Sequence, residues 1–269
     1  MVKVSIVKSY KPDVKKALDL IEYTPKKCEL LVIKPNLCCP LPYFTGATTD
    51  TRILDQTLEI FKSYAEEILV VEANGYMAKA EESFEKTGMS TICEAHGVDF
   101  LNLSNDILIP VKGDFKSLTK FKVPRTIIKA DILLNLPVMK THSMSTVTLS
   151  MKNLFGVIPG RKSIYHPKLT DAITDVMKIR RPDLNIMDGI VGMEGDGPVD
   201  GRSKRMDLVL ASEDALAMDL VCCKIMRVNP VQVEHLQKAC YYGLGECGWG
   251  NIEVVGERIE NVWNRFLLP

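Results

Sequence analysis

Short unbroken apolar runs alternate with apolar residues at helical spacing along most of the chain. VKVSIV predicts a first strand, and PDVKKALDLIEY predicts a helix opened by Pro12. CELLVIKP, apolar at consecutive positions, reads as a strand covered on both faces. The loop NLCCPLPYFTGATTD leads into the helix TRILDQTLEIFKSYA, with Asp50 as its N-cap. The strand EILVVEA, the helix KAEESFEKTG ending at Gly88, a short helix around Thr91–Ala95 and the strand VDFLNL follow. Strand and helix alternating at this spacing predict a parallel sheet with right-handed crossovers.

Between Asp106 and Val123 the pattern is less regular, and pieces such as FKSLTKFKV suit antiparallel strands. TIIKADILLNLP predicts a short helix feeding a buried strand, and Thr146–Phe155 a helix beyond the end of that strand. HPKLTDAITDVMKIRRPD is helical, with Pro167 at its start and basic residues in its last turn. LNIMDGIVG and MDLVLAS are strands separated by the glycine-rich loop GMEGDGPVDGRSKR. EDALAMDLVCCKIM, with Ser212 as candidate cap, and PVQVEHLQKACYYG are further helices, before a last strand and an amphipathic tail. The fold class expected is α/β: a mostly parallel sheet with flanking helices. One unit spans 1–269, with two closely packed lobes, 1–115 and 116–269, that meet near residues 105–125.

The totals narrow the picture. Thirty-four basic and thirty-four acidic residues cancel, which argues against nucleic acid or an anionic membrane as partner, so any anion site must be a local cluster. No apolar run reaches the roughly 20 residues of a membrane span, and the N-terminus lacks a signal-peptide pattern; the expected location is cytoplasmic. None of the eight cysteines forms a C-x-x-C pair or a regular zinc spacing. Reduced structural thiols are expected, Cys222 and Cys223 as small hydrophobes within a helix. The exception is the pair Cys38-Cys39, in a loop near other polar candidates.

Ligands of open α/β sheets collect beyond the carboxyl ends of parallel strands. Three segments carry polar residues to such ends. KPNLCC places Lys34 and Asn36 about a proline that holds Lys34 extended. LPVMKTHSMSTVTLSMKNLFGVIPG brings Lys140, His142, Lys152 and Asn153, followed by Arg161, Lys162 and His166. A lysine late on a helix is by itself an ordinary surface feature, but this concentration of donors suits a carboxylate or phosphate. GVIPGRKS only approximates a phosphate-binding loop, its glycines being four residues apart rather than five. The third segment sets Asp188, Glu194 and Asp196 among Gly195, Gly197 and other glycines, where carboxylates could hold a divalent cation or act as base, or be no more than a solvated turn. Asp214 falls in a helix's first turn. Asp219 lies in a helix apolar almost all round and needs a partner, a cation being the expected one. His96 and His235 read as helix-surface residues.

NLPVMKTHSMSTVTLSMKNLFGVIPGRK, IMDGIVGMEGDGPVDG, LASEDALAMD and IKPNL together resemble the DUF362 domain family, from about Lys3 to Cys247. The resemblance implies a soluble prokaryotic protein of a family without assigned function, sometimes joined to ferredoxin-type iron–sulfur modules. It matches Lys34, Asn36, Lys140, His142, Lys152, Asn153, His166, Asp188, Glu194, Gly195, Gly197, Pro198, Asp214 and Asp219 to the family's motif positions. No cluster-ligating cysteine run is present, so the iron–sulfur property does not carry over. TTDTRILDQTLEIFKSYAEEILVVEANG is similar in order to the N-terminal part of the lactate racemase family, with Asn74-Gly75-Tyr76 in place of that family's glycine–histidine motif.

The leading functional expectation is an enzyme that binds a small anionic metabolite or cofactor precursor. Lys140, Lys152 and Arg161 would hold the anion, His142 or an acid would move a proton, Glu194 and Asp196 would serve as base or metal ligands, and Asn36 and Asn153 would orient the substrate. Two alternatives stand beside it. One is an accessory protein for electron transfer or metallocofactor maturation, in which Cys38 and Cys39 ligate metal with a redox partner. The other is a ligand-binding module without turnover.

Overall fold

The fold is seen in a computed structural model whose described residues are 1–75, 77–118 and 122–269. Among them, twelve strands run β1 (Val2–Lys8), β2 (Cys28–Pro35), β3 (Ala65–Glu72), β4 (Asp99–Asn102), β5 (Leu108–Pro110), β6 (Lys122–Pro124), β7 (Ile132–Leu136), β8 (Val138–His142), β9 (Thr146–Val147), β10 (Leu184–Glu194), β11 (Arg202–Ser212) and β12 (Ile252–Gly256). Ten helices lie between and after them: α1 (Val14–Leu20), α2 (Thr51–Phe61), α3 (Ala80–Lys86), α4 (Met89–His96), α5 (Arg125–Lys129), α6 (Leu149–Leu154), α7 (Leu169–Ile179), α8 (Ala215–Met226), α9 (Glu234–Tyr241) and α10 (Ile259–Val262).

The main sheet has the order β12-β1-β11-β10-β7-β2-β3-β4, with β8 beside β10 and β9 beside β8. Along this path only β11 opposes its neighbours, so the sheet is mostly parallel, as expected. Strands from 1–115 and 116–269 interleave in this one sheet.

The apolar runs are continuous because helices cover both faces. Leu31 and Ile33 of β2 and Leu134 of β7 join the core beneath α1, α2 and α4. Val32, Leu133, Met187 and Leu210, pointing the other way, join the core beneath α6, α7, α8 and α9. Polar groups inside these layers are tied in pairs. Asn153 Nδ2 donates to Asn135 Oδ1, Asn135 Nδ2 to Asn185 Oδ1, and Asn185 Nδ2 to the Ser212 carbonyl. This amide chain fixes α6 to β7, β10 and β11.

Several expectations are corrected in detail. Lys140 and His142 do not lie past a strand but within β8, and the helix expected over 146–155 shortens to Leu149–Leu154. The glycine-rich loop shrinks to residues 195–201, because β10 and β11 continue as a long antiparallel hairpin. Asp188 therefore lies within β10 rather than at its end. The N-cap of α8 is Asp214, whose Oδ1 accepts from Ala217 N, while Ser212 accepts from Asp214 N. Pro167 sits in a 3-10 turn (Lys162–Lys168) ahead of α7. The antiparallel pairing expected between 106 and 123 appears as β5 with β6; Thr119–Phe121 of that stretch, like Tyr76, lie outside the described residues.

Buried chemistry was also misplaced. His235 is buried, 1% exposed, between α9 and its neighbours, and burial pushes its imidazole down to about 3. His96 is half-buried against Asp55, at 2.7 Å. Cys240 and Cys247 are joined by a disulfide across the turn after α9, contrary to the expectation that all cysteines are reduced; a six-residue spacing on either side of a turn carries no recognisable signal. Cys222 and Cys223 are buried and free, as expected.

Among the described residues no cation pairs with Asp219. Its carboxylate accepts from Ser150 N at 2.7 Å and Met151 N at 3.0 Å, the open N–H groups at the start of α6. Asp219→Ala strands both donors in the core and is expected to cost about 2–4 kcal/mol. A fall in the urea midpoint at unchanged slope is the readout, and an unchanged midpoint would show that these bonds do not anchor α6.

Candidate functional site

β2 and β3 are parallel neighbours; Lys34 is the next-to-last residue of β2, and Glu72 ends β3. Lys34 is 1% exposed, and its Nζ donates to Glu72 Oε2 at 2.8 Å and to the Pro35 carbonyl at 2.7 Å. Glu72 also accepts from Leu37 N and Ala73 N, which satisfies both its oxygens. Gly156 lies against this pair: a Cβ there would stand 3.0 Å from Lys34 Nζ and 3.2 Å from Glu72 Oε1.

Beyond the pair opens a cavity of about 440 Å³. The loop after β2 lends Asn36 and Cys38 to its wall, β8 lends Lys140 and His142, and α6 lends Lys152 and Asn153. Lys162 and His166 enter from the 3-10 turn, and Pro198, Val199 and Asp200 from the hairpin. Met77, Met144 and Phe155 supply apolar wall.

The cavity's basic groups differ in how far they are committed. Lys140 is fully buried, and its Nζ reaches the Ala47 carbonyl at 2.7 Å, the Pro198 carbonyl at 3.2 Å and Cys38 Sγ at 3.5 Å. Three acceptors use all its protons. Lys152 and Lys162 have no hydrogen-bond acceptor among the described residues; Lys152 Nζ stands 4.8 Å from the centre of the Phe155 ring. Burial, then the neighbouring ammonium of Lys162, lowers Lys152 to about 7. Burial likewise lowers Lys162 to about 8, against the pull of Glu72. His142 Nδ1 accepts from Met144 N at 3.1 Å, so the ring proton sits on Nε2. Burial and Lys152 push this imidazole down to about 2, which keeps it neutral at physiological pH. Burial also lowers His166. Thr148 lines the cavity at 4% exposure, and its Oγ1 has no hydrogen-bond partner among the described residues.

Thus Lys34, Asn36, Cys38, Lys140, His142, Lys152, Asn153, Lys162, His166 and Pro198 meet at one cavity, while Arg161, Asp188, Glu194, Gly195, Asp196, Gly197, Asp214 and Asp219 do not line it. Glu194 pairs with Lys204 at 2.7 Å on the far side of the hairpin. Asp196 and Arg161 are exposed, the latter bonded to Ser163. Asp188 is buried under the start of α2, accepting from Asp50 N and Ile190 N, with burial and nearby Asp50 raising it to about 7. Asp214 caps α8 and also accepts from Glu246 N.

Gly197 brings the hairpin against β8. The Gly195 carbonyl accepts from Thr141 Oγ1, and a Cβ on Gly197 would stand 2.1 Å from the Thr141 carbonyl, so the hairpin lies directly on β8. Among the described residues no group of three or more His, Cys, Asp and Glu converges closely enough to hold a metal ion, and the acidic turn thus lacks the ligand set expected for a divalent cation.

The residues missed in the sequence are Glu72, Thr148 and Gly156. Glu72 carried a signal, since an acid closing the buried run EILVVEA mirrors the lysine closing CELLVIKP.

The sequence profile of DUF362, a domain of unknown function, matches residues 31–224, and the chain belongs to this family. Every cavity residue falls inside that span. The thylakoid-associated protein sll1697 of a Synechocystis species is 33% identical over 128 residues, 45% of this chain and 40% of that protein. The chain therefore spans about two fifths of that relative's length. Among solved structures, the lactate racemase apoprotein from Thermoanaerobacterium thermosaccharolyticum matches with a TM-score of 0.53 at 13% identity, covering 85% of this chain and 57% of that one. At this identity the likeness is one of fold. No helix among the described residues is long and apolar enough to cross a membrane.

Lys34→Met removes one member of a buried pair and leaves Glu72 without its cation, at an expected cost of about 3–5 kcal/mol. Adding Glu72→Gln is expected to restore about half of that loss. Denaturant unfolding of the two variants decides this, and a double variant no more stable than the single one would mean that the pair is not the source of the cost.

Proposed function

We propose that the protein is an enzyme that binds a small metabolite through a carboxylate or phosphate group in this cavity. The observation that carries the reading is the imbalance of charge: Lys34, Lys140, Lys152 and Lys162 share one cavity, with Glu72 the one buried carboxylate among the described residues of its wall. An anion relieves the repulsion among ammoniums that are partly out of water. Lys152 and Lys162, free of other acceptors, are its ligands, and Lys140 contributes charge from behind. The neutral His142 donates from Nε2 and does not carry a proton in turnover. Lys152, poised near neutrality, is the group that moves one. Asn153 has its Nδ2 committed to the amide chain and offers Oδ1 as acceptor.

The second reading, an accessory role in electron transfer or metallocofactor maturation, needs both sulfurs of Cys38 and Cys39. They lie 3.9 Å apart, but only Cys38 reaches the cavity, while Cys39 packs with Ala47 and Met193. The Synechocystis relative's association with thylakoids belongs to that protein's name, and the cavity offers the redox reading no further support.

Anion binding is expected to depend on pH through Lys152 and Lys162. Each is lowered in the free protein, so below about 7 both are charged and bind, and above about 8 both are neutral and do not. Titration calorimetry with sulfate, which does not ionise in this range, should show affinity falling from pH 6 to pH 9, with proton uptake on binding near pH 8. Lys152→Met and Lys162→Met should each weaken binding at pH 6 by about tenfold or more. An affinity indifferent both to pH and to the double substitution would remove the anion site.

A further inference from the structure

One chemically reactive group in the cavity has no part in anion binding as described. Cys38 Sγ lies 3.5 Å from Lys140 Nζ and 3.9 Å from Cys39 Sγ, and the residue is partly exposed to the cavity. Most free cysteines here are placed otherwise. Cys39, Cys93, Cys222 and Cys223 are buried, and Cys28 opens β2 at the opposite end of the sheet.

We propose that Cys38 is a nucleophile and that its substrates are small aldehydes or ketones bearing a carboxylate or phosphate. The inference rests on the anion reading of the cavity and adds the reacting group to it.

The surroundings of Cys38 favour the thiolate. The bond from Cys39, then the ammonium of Lys140, lowers the Cys38 thiol, whereas burial and Glu72 oppose. Lys152 and Lys162 also bear on Cys38 and carry positive charge at neutral pH and below. A third contact, 3.4 Å from Cys38 Sγ to the Ala47 carbonyl, is one that a thiol would donate. That carbonyl already accepts from Lys140 at 2.7 Å, so loss of the thiol proton does not leave it unpaired.

The same wall answers the needs of addition to a carbonyl. Attack by the Cys38 thiolate forms an S–C bond, and the C=O π pair becomes an alkoxide. Lys152 then gives the alkoxide its proton, yielding a neutral thiohemiacetal or thiohemiketal and a neutral amine; return of the proton and loss of the thiolate reverse the step. Donors for the developing oxyanion stand ready at His142 Nε2 and at Thr148 Oγ1, a buried hydroxyl without a partner among the described residues, on a residue of the cavity wall. Lys162 remains for the carboxylate or phosphate. The arrangement suits carbon electrophiles better than a thiolate-bound metal, because the adjacent thiol of Cys39 is not part of the cavity lining and no group of three or more His, Cys, Asp and Glu converges there among the described residues.

Alkylation of the whole protein, followed by peptide mass mapping of each cysteine, tests this directly. Free thiols prefer neutral iodoacetamide to anionic iodoacetate. At pH 6 Cys38 should react with iodoacetate, and its iodoacetate-to-iodoacetamide rate ratio should exceed that of Cys28 by at least about tenfold. Sulfate should protect it. Glyoxylate, the smallest aldehyde with a carboxylate, should protect at concentrations at least about tenfold below glycolate, which has the anion but no carbonyl. Carbon-13 glyoxylate should give a thiohemiacetal resonance with the wild type and none with Cys38→Ala. Lys140→Met should move the pH midpoint of alkylation upward. If that variant fails to fold, Lys152→Met should show the same direction of change.

The outcomes separate the two claims. Sulfate binding with Cys38 inert to both reagents at pH 6 and pH 8 overturns the nucleophile and leaves the anion site standing. Equal protection by glyoxylate and glycolate, with no adduct resonance, overturns the carbonyl class. A reactive Cys38 with no preference for iodoacetate and no sulfate binding overturns the anion reading on which both rest.

Discussion

Like charges crowded into a space with little water are the constraint on which this site depends. Lys34 is neutralised by Glu72, and the strand-end geometry makes that pair rigid: both oxygens of the acid and the lysine ammonium are bonded. Lys140 is held by two carbonyls and a sulfur. What remains uncompensated is concentrated on Lys152 and Lys162, and burial together with the repulsion of nearby ammoniums brings these two towards neutrality. Neutralising the buried charges in the wall thus leaves Lys152 and Lys162 to respond to whatever enters.

Such a wall needs a stiff support, since an ammonium displaced by an ångström would find water or another acceptor. Three devices supply it. The Asp219 carboxylate holds the first N–H groups of α6 and so sets where Lys152 and Asn153 emerge. The amide chain through Asn153, Asn135 and Asn185 ties the same helix across three strands. On the other side the hairpin lies on β8 at backbone contact, which only glycine permits at Gly197, and its Pro198 carbonyl reaches Lys140. Buried polar groups in this protein are thus mostly scaffold for the few that face the cavity.

The fold was largely legible from periodicity. Runs such as CELLVIKP, EILVVEA and ILLNL had to be covered on both faces, and helices of matching spacing lay between them, so a mostly parallel sheet followed. The basic half of the cavity was legible for a related reason: a lysine or histidine at the end of a buried run must emerge near a strand terminus, where such sheets bind ligands. The acidic half was misread. Glycine density in the hairpin looked like room for a ligand but serves close approach to β8, and Glu194 turns to Lys204 across the hairpin. Asp219 was correctly seen to need a partner, yet that partner is a helix N-terminus sixty-nine residues away, which no local pattern records.

Local order, periodicity and residue type therefore decided the architecture, the strand ends at which polar groups emerge and the basic character of one region. These depend on the chain's own near neighbours and on burial, both of which are written in the order of side chains. Pairing was settled in space: Glu72 with Lys34, Cys38 with Lys140, Asp219 with α6, and Cys240 with Cys247. The reason is that hydrogen bonds and Coulomb attraction act over a few ångströms, and which distant segments come within that range is set by sheet order and by packing on its two faces.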